Sequence, residues 1–286
     1  MSQGHYLIPA EEFCRRHSDA SKPCSRPDVF AFQVGSGVAL IYCAIIGVYS
    51  WYITKRAHAN IPQTPEGRLY TYLAESEKLA AISFTFQTWD FFISLRIPEH
   101  STAVMLTHHV LAATVSWFAV HNQVCRFHAY FTYAPTAVQD FFRSTTPGLT
   151  WLHLSLTSQI AQFLHYYGIY FLGLVEVSSI FLLFIDLAKY FPPEPNSVPE
   201  MVLLTFIGPA FIVTFFIYRV LLWWKVSLQL WADALHVLQT GKNQRYRPGQ
   251  NYVLYIYLIS NTLLGVLQLY WFGIILEEAK KAFFRS

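Results

Sequence analysis

The chain has 286 residues, of which 54% are apolar and only 13% charged, and its formal net charge is +3. Soluble domains carry about 25% charged residues, so the usual complement is about halved, and an ordinary water-soluble core could not hide so much apolar surface. No basic run is dense enough for nucleic acid, and the aromatics sit inside apolar stretches rather than beside Lys or Arg. Long charge-free runs alternating with short charged segments point instead to an all-α, multi-pass membrane protein.

Residues 1–28 read as a polar tail. Glu11, Glu12, Arg15, Arg16 and Asp19 leave no apolar core for a cleavable signal, so the first apolar run is expected to act as an uncleaved anchor. Cys14, Cys24, Cys43 and Cys125 contain no C-x-x-C pair, which argues against a zinc or redox motif. Cys14 and Cys24 would bridge only in a lumenal tail. Residues 29–286 read as a single transmembrane domain without internal repeats.

A helix needs about 20 apolar residues to cross the hydrocarbon core. About six segments approach that length. The first runs from Val29 to Ile53 and stops at Lys55 and Arg56. The second runs from Leu79 to Leu95, lengthened by the helix-favouring Glu75 to Lys78. The third runs from Thr102 to Val120, and the fourth from Tyr166 to Tyr190, closed by Pro192 and Pro193. The fifth runs from Met201 to Trp224 with a kink expected at Pro209. The sixth runs from Tyr252 to Leu276, followed by a charged tail through Lys280, Lys281 and Arg285. Residues 122–165 are mixed in polarity and read as interfacial or re-entrant helices, with a seventh crossing as the alternative. Lys and Arg divide almost evenly between the two sides, so the positive-inside rule sets no orientation.

Polar side chains at bilayer depth face a bundle interior or a wet cavity. On the second span Ser83, Gln87, Asp90 and Ser94 share one helical face, and on the sixth Asn261, Gly265 and Gln268 do the same. Glu176 and Ser179 mark the fourth span, with Gly173 and Asp186 on overlapping faces. His108 and His109 lie in the third, beside Ala112 and Ala113, which admit a close neighbour. Ser and Thr alone would be read as interhelical hydrogen bonds. Two carboxylates at this depth instead predict a central polar cavity. Adjacent helical residues point about 100° apart, so one histidine should face the cavity while the other packs against a helix. A neutral imidazole there can act as base or nucleophile, oriented by Asp90 or Glu176; the alternative is that both only cross-link helices. Arg219, placed near one end of the fifth span, would snorkel, bind a phosphate or pair with an acid. Trp223, Trp224 and Trp271 read most simply as interfacial anchors, Trp271 also as a ligand contact. No H-x-x-H or H-x-x-x-H occurs, so no metal site is expected. A bis-histidine haem could be drawn only from His109 with His165 or His153, and the sixth span has no Lys for a retinal-type Schiff base.

Several of these residues form an ordered series. Trp89-Asp90 is followed by Leu106-Thr107-His108-His109, then by Tyr170-Phe171-Leu172-Gly173-Leu174-Val175-Glu176-Val177-Ser178-Ser179 and Phe181-Leu182. Tyr218-Arg219 and Gln268-Leu269-Tyr270-Trp271-Phe272 come after. From about residue 76 to 279 the chain resembles the TLC-domain family, which includes the ceramide synthases. The resemblance implies a six-helix barrel opening to the membrane, usually in the endoplasmic reticulum. It also implies acyl-transfer roles for His108 and His109, with membrane lipids as partners and acyl-CoA as co-substrate; no other cofactor is expected. Glu176, Val177, Ser178 and Ser179 stand where the synthases carry an acidic pair, and this looks more like the non-synthase members linked to membrane homeostasis. Two functions follow as expectations. One is a His-dependent acyltransferase using Asp90 or Glu176 as orienting acid, acting on a lipid amine or hydroxyl. Its substrate contacts would be Gln87, Ser83, Ser179, Arg219, Asn261, Gln268 and Trp271. The other is a non-catalytic lipid-binding regulator or chaperone of membrane composition. A proton-coupled carrier relaying through Asp90, Glu176 and His109 is a weaker third, because no broken helices recur in matching halves. Neither the lipid nor the oligomeric state follows from the sequence.

Overall fold

A computed structural model describes residues 27–97, 100–120, 163–191 and 193–284. The reading of residues 122–165 as interfacial or re-entrant therefore falls outside the described residues, except for the last three. Every regular element among the described residues is helical.

Helix α1 (Pro27–Val48) runs on through a wide π turn at Tyr49–Ile53 and ends where Lys55 takes a left-handed backbone conformation. Two short helices follow, α2 (Arg56–Ala59) and α3 (Pro65–Tyr70). The start of α3 is fixed locally. The Thr64 hydroxyl accepts from the Gly67 N–H at 3.1 Å, Pro65 opens the first turn and Glu66 lies at the positive end of the helix. Helices α4 (Ala74–Ser94) and α5 (Ala103–Ala119) pack against each other over the largest helix–helix contact among the described residues. The Thr102 side chain caps α5 by accepting from Met105 N at 3.3 Å.

The expected fourth span is not one continuous helix. It consists of α6 (His165–Phe171), a break at Leu172 and Gly173, one 3-10 turn at Leu174–Glu176, and α7 (Val177–Tyr190). The expected fifth span is longer than its apolar run. Helix α8 (Val198–Val202), a π turn at Leu203–Ile207, α9 (Gly208–Phe215), a second π turn at Phe216–Leu221 and α10 (Leu222–Gln239) join into one element of 42 residues. Pro209 sits at the start of α9, immediately after the first π turn. Proline has no amide hydrogen to donate to the preceding turn, and the helix is widened there. A short α11 (Asn243–Tyr246) precedes α12 (Asn251–Phe284), which carries the sixth span on through its charged tail.

Four of these elements are long and apolar enough to cross a membrane: Val29–Ile53, His165–Ala188, Val198–Gln239 and Asn251–Lys281. The chain is thus an all-α, polytopic membrane protein. The other two expected spans fall short of that standard for different reasons. Helix α5 has 17 residues, and α4 carries Glu75, Glu77, Lys78 and Asp90.

The break in the fourth span permits a close helix crossing. At Gly47 of α1 a Cβ would lie 2.4 Å from the Gly173 carbonyl carbon and the Leu174 nitrogen, so backbone packs directly on backbone. Replacing Gly47 by valine should force these elements apart and cost about 1–3 kcal/mol, the usual range for overpacking. Thermal unfolding of the purified variant checks this, and an unchanged midpoint would contradict the crossing.

One end of the bundle is closed by polar contacts. Arg68 of α3 grips Asp233 of α10 with two hydrogen bonds, Nε to Oδ2 at 2.6 Å and Nη2 to Oδ1 at 2.5 Å, and the Tyr167 hydroxyl donates to the same carboxylate. The Asp233 carboxylate raises the Arg68 guanidinium above its ordinary value. His165 ties the entry of α4 to the exit of α5: its Nδ1 accepts from Leu73 N at 2.9 Å and its Nε2 lies 3.1 Å from the Ala119 carbonyl. With both ring nitrogens engaged by backbone, His165 is a structural link and not the haem ligand that could be drawn from the sequence.

Candidate functional site

Five elements surround a small, partly open cavity among the described residues. Helix α4 contributes Ser83 and Gln87, and α5 contributes His108. The broken fourth span contributes Glu176, the second π turn Arg219, and α12 a stripe of Tyr257, Asn261, Leu264 and Gln268. Those four positions are spaced i, i+4, i+7 and i+11, which aligns them on one helical face. The space that a water centre can occupy is about 30 Å³. A single water needs about 10–15 Å³ by this measure, so the cavity fits a small polar group.

Arg219 organises one wall. It lies near the midpoint of the 42-residue element and is 9% exposed, so it does not snorkel to an interface as its place at the end of the apolar run suggested. Its Nε donates to Ser178 Oγ at 2.7 Å, and its Nη2 donates to Glu176 Oε2 at 3.0 Å and Ser179 Oγ at 2.7 Å. Its Nη1 donates to Gln268 Oε1 at 3.3 Å. Ser179 in turn donates to Glu176 Oε2 at 2.6 Å, and the Phe215 ring lies 5.6 Å from the guanidinium carbon. Of the three roles the sequence left open for Arg219, the structure realises pairing with an acid. A phosphate would have to displace Glu176 to reach it.

The opposite wall is backed by a second cluster. His109 Nδ1 lies 2.8 Å from Gln87 Oε1, and its Nε2 lies 3.6 Å from Asp90 Oδ1, which also accepts from Ser94 Oγ at 3.0 Å. If Nδ1 donates to the Gln87 carbonyl, one further proton on either Nε2 or Oδ1 makes the His109–Asp90 contact attractive. The Ser83 and Ser116 hydroxyls meet at 3.0 Å in the same layer. Asp90 and His109 do not line the cavity; they stand one layer behind it and reach it through Gln87.

His108 faces the cavity itself. Its ring makes a T-shaped contact with Trp271, centroids 5.0 Å apart, and its buried Nδ1 has no hydrogen-bond partner among the described residues. The two histidines therefore divide as helix geometry requires, one toward the cavity and one into the packing between α4 and α5. Ser179 and Trp271 stand beside the wall, bonded to Arg219 and in edge contact with His108 respectively. Trp223 lines the cavity at 3% exposure, so it is not an interfacial anchor. Asp186 is not on the wall.

Two features of the site went unread in the sequence. Tyr257 was one aromatic among many, although its i, i+4 spacing to Asn261 marks the same face. Ser178 was noted only within a motif, yet it holds the Arg219 Nε.

The family model of the TLC domain matches residues 149–277. The chain carries a TLC domain. The matched stretch includes Glu176, Ser179, Arg219, Asn261, Gln268 and Trp271, whereas Ser83, Gln87, Asp90 and the two histidines precede it. No curated protein and no solved structure matches the chain. The TLC domain ties the protein to membrane-lipid function in the broad sense.

Proposed function

We propose that this TLC-domain protein is a membrane lipid acyltransferase of the ceramide-synthase type, acting in the endoplasmic reticulum with His108 as its general base. The observation that carries this reading is the His108 Nδ1, buried beside the cavity without a hydrogen-bond partner among the described residues. An imidazole so placed can take the proton from the amine or hydroxyl of a lipid as that group attacks the carbonyl carbon of acyl-CoA. The new C–N or C–O bond forms, the thioester C–S bond breaks, and the same imidazole returns the proton to the departing thiolate. Trp271 fixes the His108 ring. His109, held by Gln87 and facing Asp90, positions α5 against α4 and touches no reacting atom. Burial favours transfer over hydrolysis, because little water fits beside the reacting groups.

A second reading, a non-catalytic lipid-binding regulator or chaperone, is favoured by a different observation. Arg219 and Glu176 satisfy each other and their serine neighbours, as they would in a binding pocket with no charge to spend on catalysis. One experiment separates the two. Purified protein is incubated with labelled acyl-CoA and mixed membrane lipids, and the products and intact mass are analysed. Labelled acyl lipid made by the wild type and absent with His108→Ala supports the enzyme. Co-purified lipid without acyl transfer in either protein supports the regulator.

A further inference from the structure

The polar atoms of the cavity describe the head of the molecule it accepts. Four of them are buried and lack a hydrogen-bond partner among the described residues: Asn261 Oδ1, the Tyr257 hydroxyl, His108 Nδ1 and the Trp223 Nε1–H donor. Asn261 is 2% exposed and Tyr257 1% exposed, so bulk water does not satisfy them. The Asn261 oxygen requires a donor, whereas the tyrosine hydroxyl can give one hydrogen bond and accept others. A group that both donates and accepts answers these atoms together.

Charge narrows the choice. The wall holds one acid and one base, Glu176 and Arg219, and they are bonded to each other. Asp90, the other carboxylate nearby, stands behind Gln87 and His109 rather than on the wall. Moving a charged head from water into such a neutral, buried site costs far more than its hydrogen bonds return. An ammonium would find no unpaired anion there and offers no acceptor to Tyr257. A phosphate would find no unpaired cation.

We infer that the cavity takes the hydroxyl end of an uncharged lipid alcohol, in preference to an ammonium or a phosphorylated head. The inference rests on the reading of this cavity as the lipid site, and it narrows the proposed acceptor from amine or hydroxyl to hydroxyl. The alcohol donates to Asn261 Oδ1, accepts from the Tyr257 hydroxyl, and comes within reach of His108.

The test compares probes with one tail and three heads. Cetyl alcohol, cetylamine and cetyl phosphate, each with a photoactivatable diazirine beside the head, are added at equal bilayer mole fraction to the full chain in lipid nanodiscs. Crosslinks are located by peptide mass spectrometry, a readout that needs no turnover. The alcohol should label the cavity walls at least about tenfold more than either charged probe, the ratio that one well-made hydrogen bond can supply. Tyr257→Phe and Asn261→Leu should each reduce that labelling, the first with no change of shape that could disturb folding. Asn261→Asp should shift the preference toward the amine. Equal or stronger labelling of the cavity by amine or phosphate overturns the inference and leaves the site standing. Labelling of the cavity by none of the three overturns the site as well.

Discussion

His108→Ala should lower acyl transfer by about a hundred- to ten-thousand-fold, the range that a positioned general base contributes, while leaving the protein folded. The fold should survive because the His108 Nδ1 has no hydrogen-bond partner among the described residues, so its loss leaves no orphaned partner. What disappears are the edge contacts with Trp271 and His109. His109→Ala should behave differently. It strips Gln87 Oε1 of its 2.8 Å contact and leaves Asp90 without the imidazole 3.6 Å away. Unsatisfied buried groups cost about 1–3 kcal/mol each, so the thermal midpoint should fall along with any activity. The measurement is turnover and thermal unfolding on the same preparations of both variants. Two variants equal in stability and equal in activity would remove the distinction between a chemical and a positioning histidine. Full activity in His108→Ala would remove the acyltransferase.

That distinction was half visible in the sequence. Adjacent helical residues cannot both face one target, so a division between the two histidines was expected, but nothing local said which would face inward. The choice is made by α4, whose Gln87 and Asp90 occupy one face and hold His109. The polar stripe Ser83, Gln87, Asp90 and Ser94 was legible because helical spacing alone creates it. The break at Leu172 and Gly173 was not. The residues around it, from Ile169 to Val175, are apolar apart from Tyr170 and Gly173, and the break coincides with a backbone contact to Gly47, more than a hundred residues earlier.

The end of the fifth span shows the same limit. Hydropathy falls after Trp224, where Lys225, Gln229, Asp233 and His236 begin, yet the helix continues to Gln239. The expected span stops at Trp224, and the pairing of Arg68 with Asp233, 165 positions apart, carries no local signal. Once the helix continues, Arg219 moves from the end of a span to its middle. Of the three roles open to Arg219, reaching the interface gives way to a buried pairing with Glu176.

The energetic consequence of that burial is large. Arg219→Met should destabilise the protein by about 3–5 kcal/mol, because removing one member of a buried pair leaves the other charge uncompensated. The side chains of Arg219 and Glu176 are 11% and 15% exposed, so solvent relieves little of this cost. Glu176→Gln should be milder, since Ser178, Ser179 and Gln268 still accept from the guanidinium. The double variant Arg219→Met with Glu176→Gln should recover most of the loss, as neutral replacements of buried pairs often do. Thermal unfolding of all four proteins completes the cycle, and the deviation from additivity measures the coupling. A cation reserved for a lipid phosphate would give the opposite pattern, an Arg219→Met protein of wild-type stability that fails to bind phospholipid. The serines favour the first outcome. A guanidinium kept open for a ligand would not spend its Nε and Nη2 donors on Ser178, Ser179 and Glu176, and by spending them it leaves the cavity with no charge to offer.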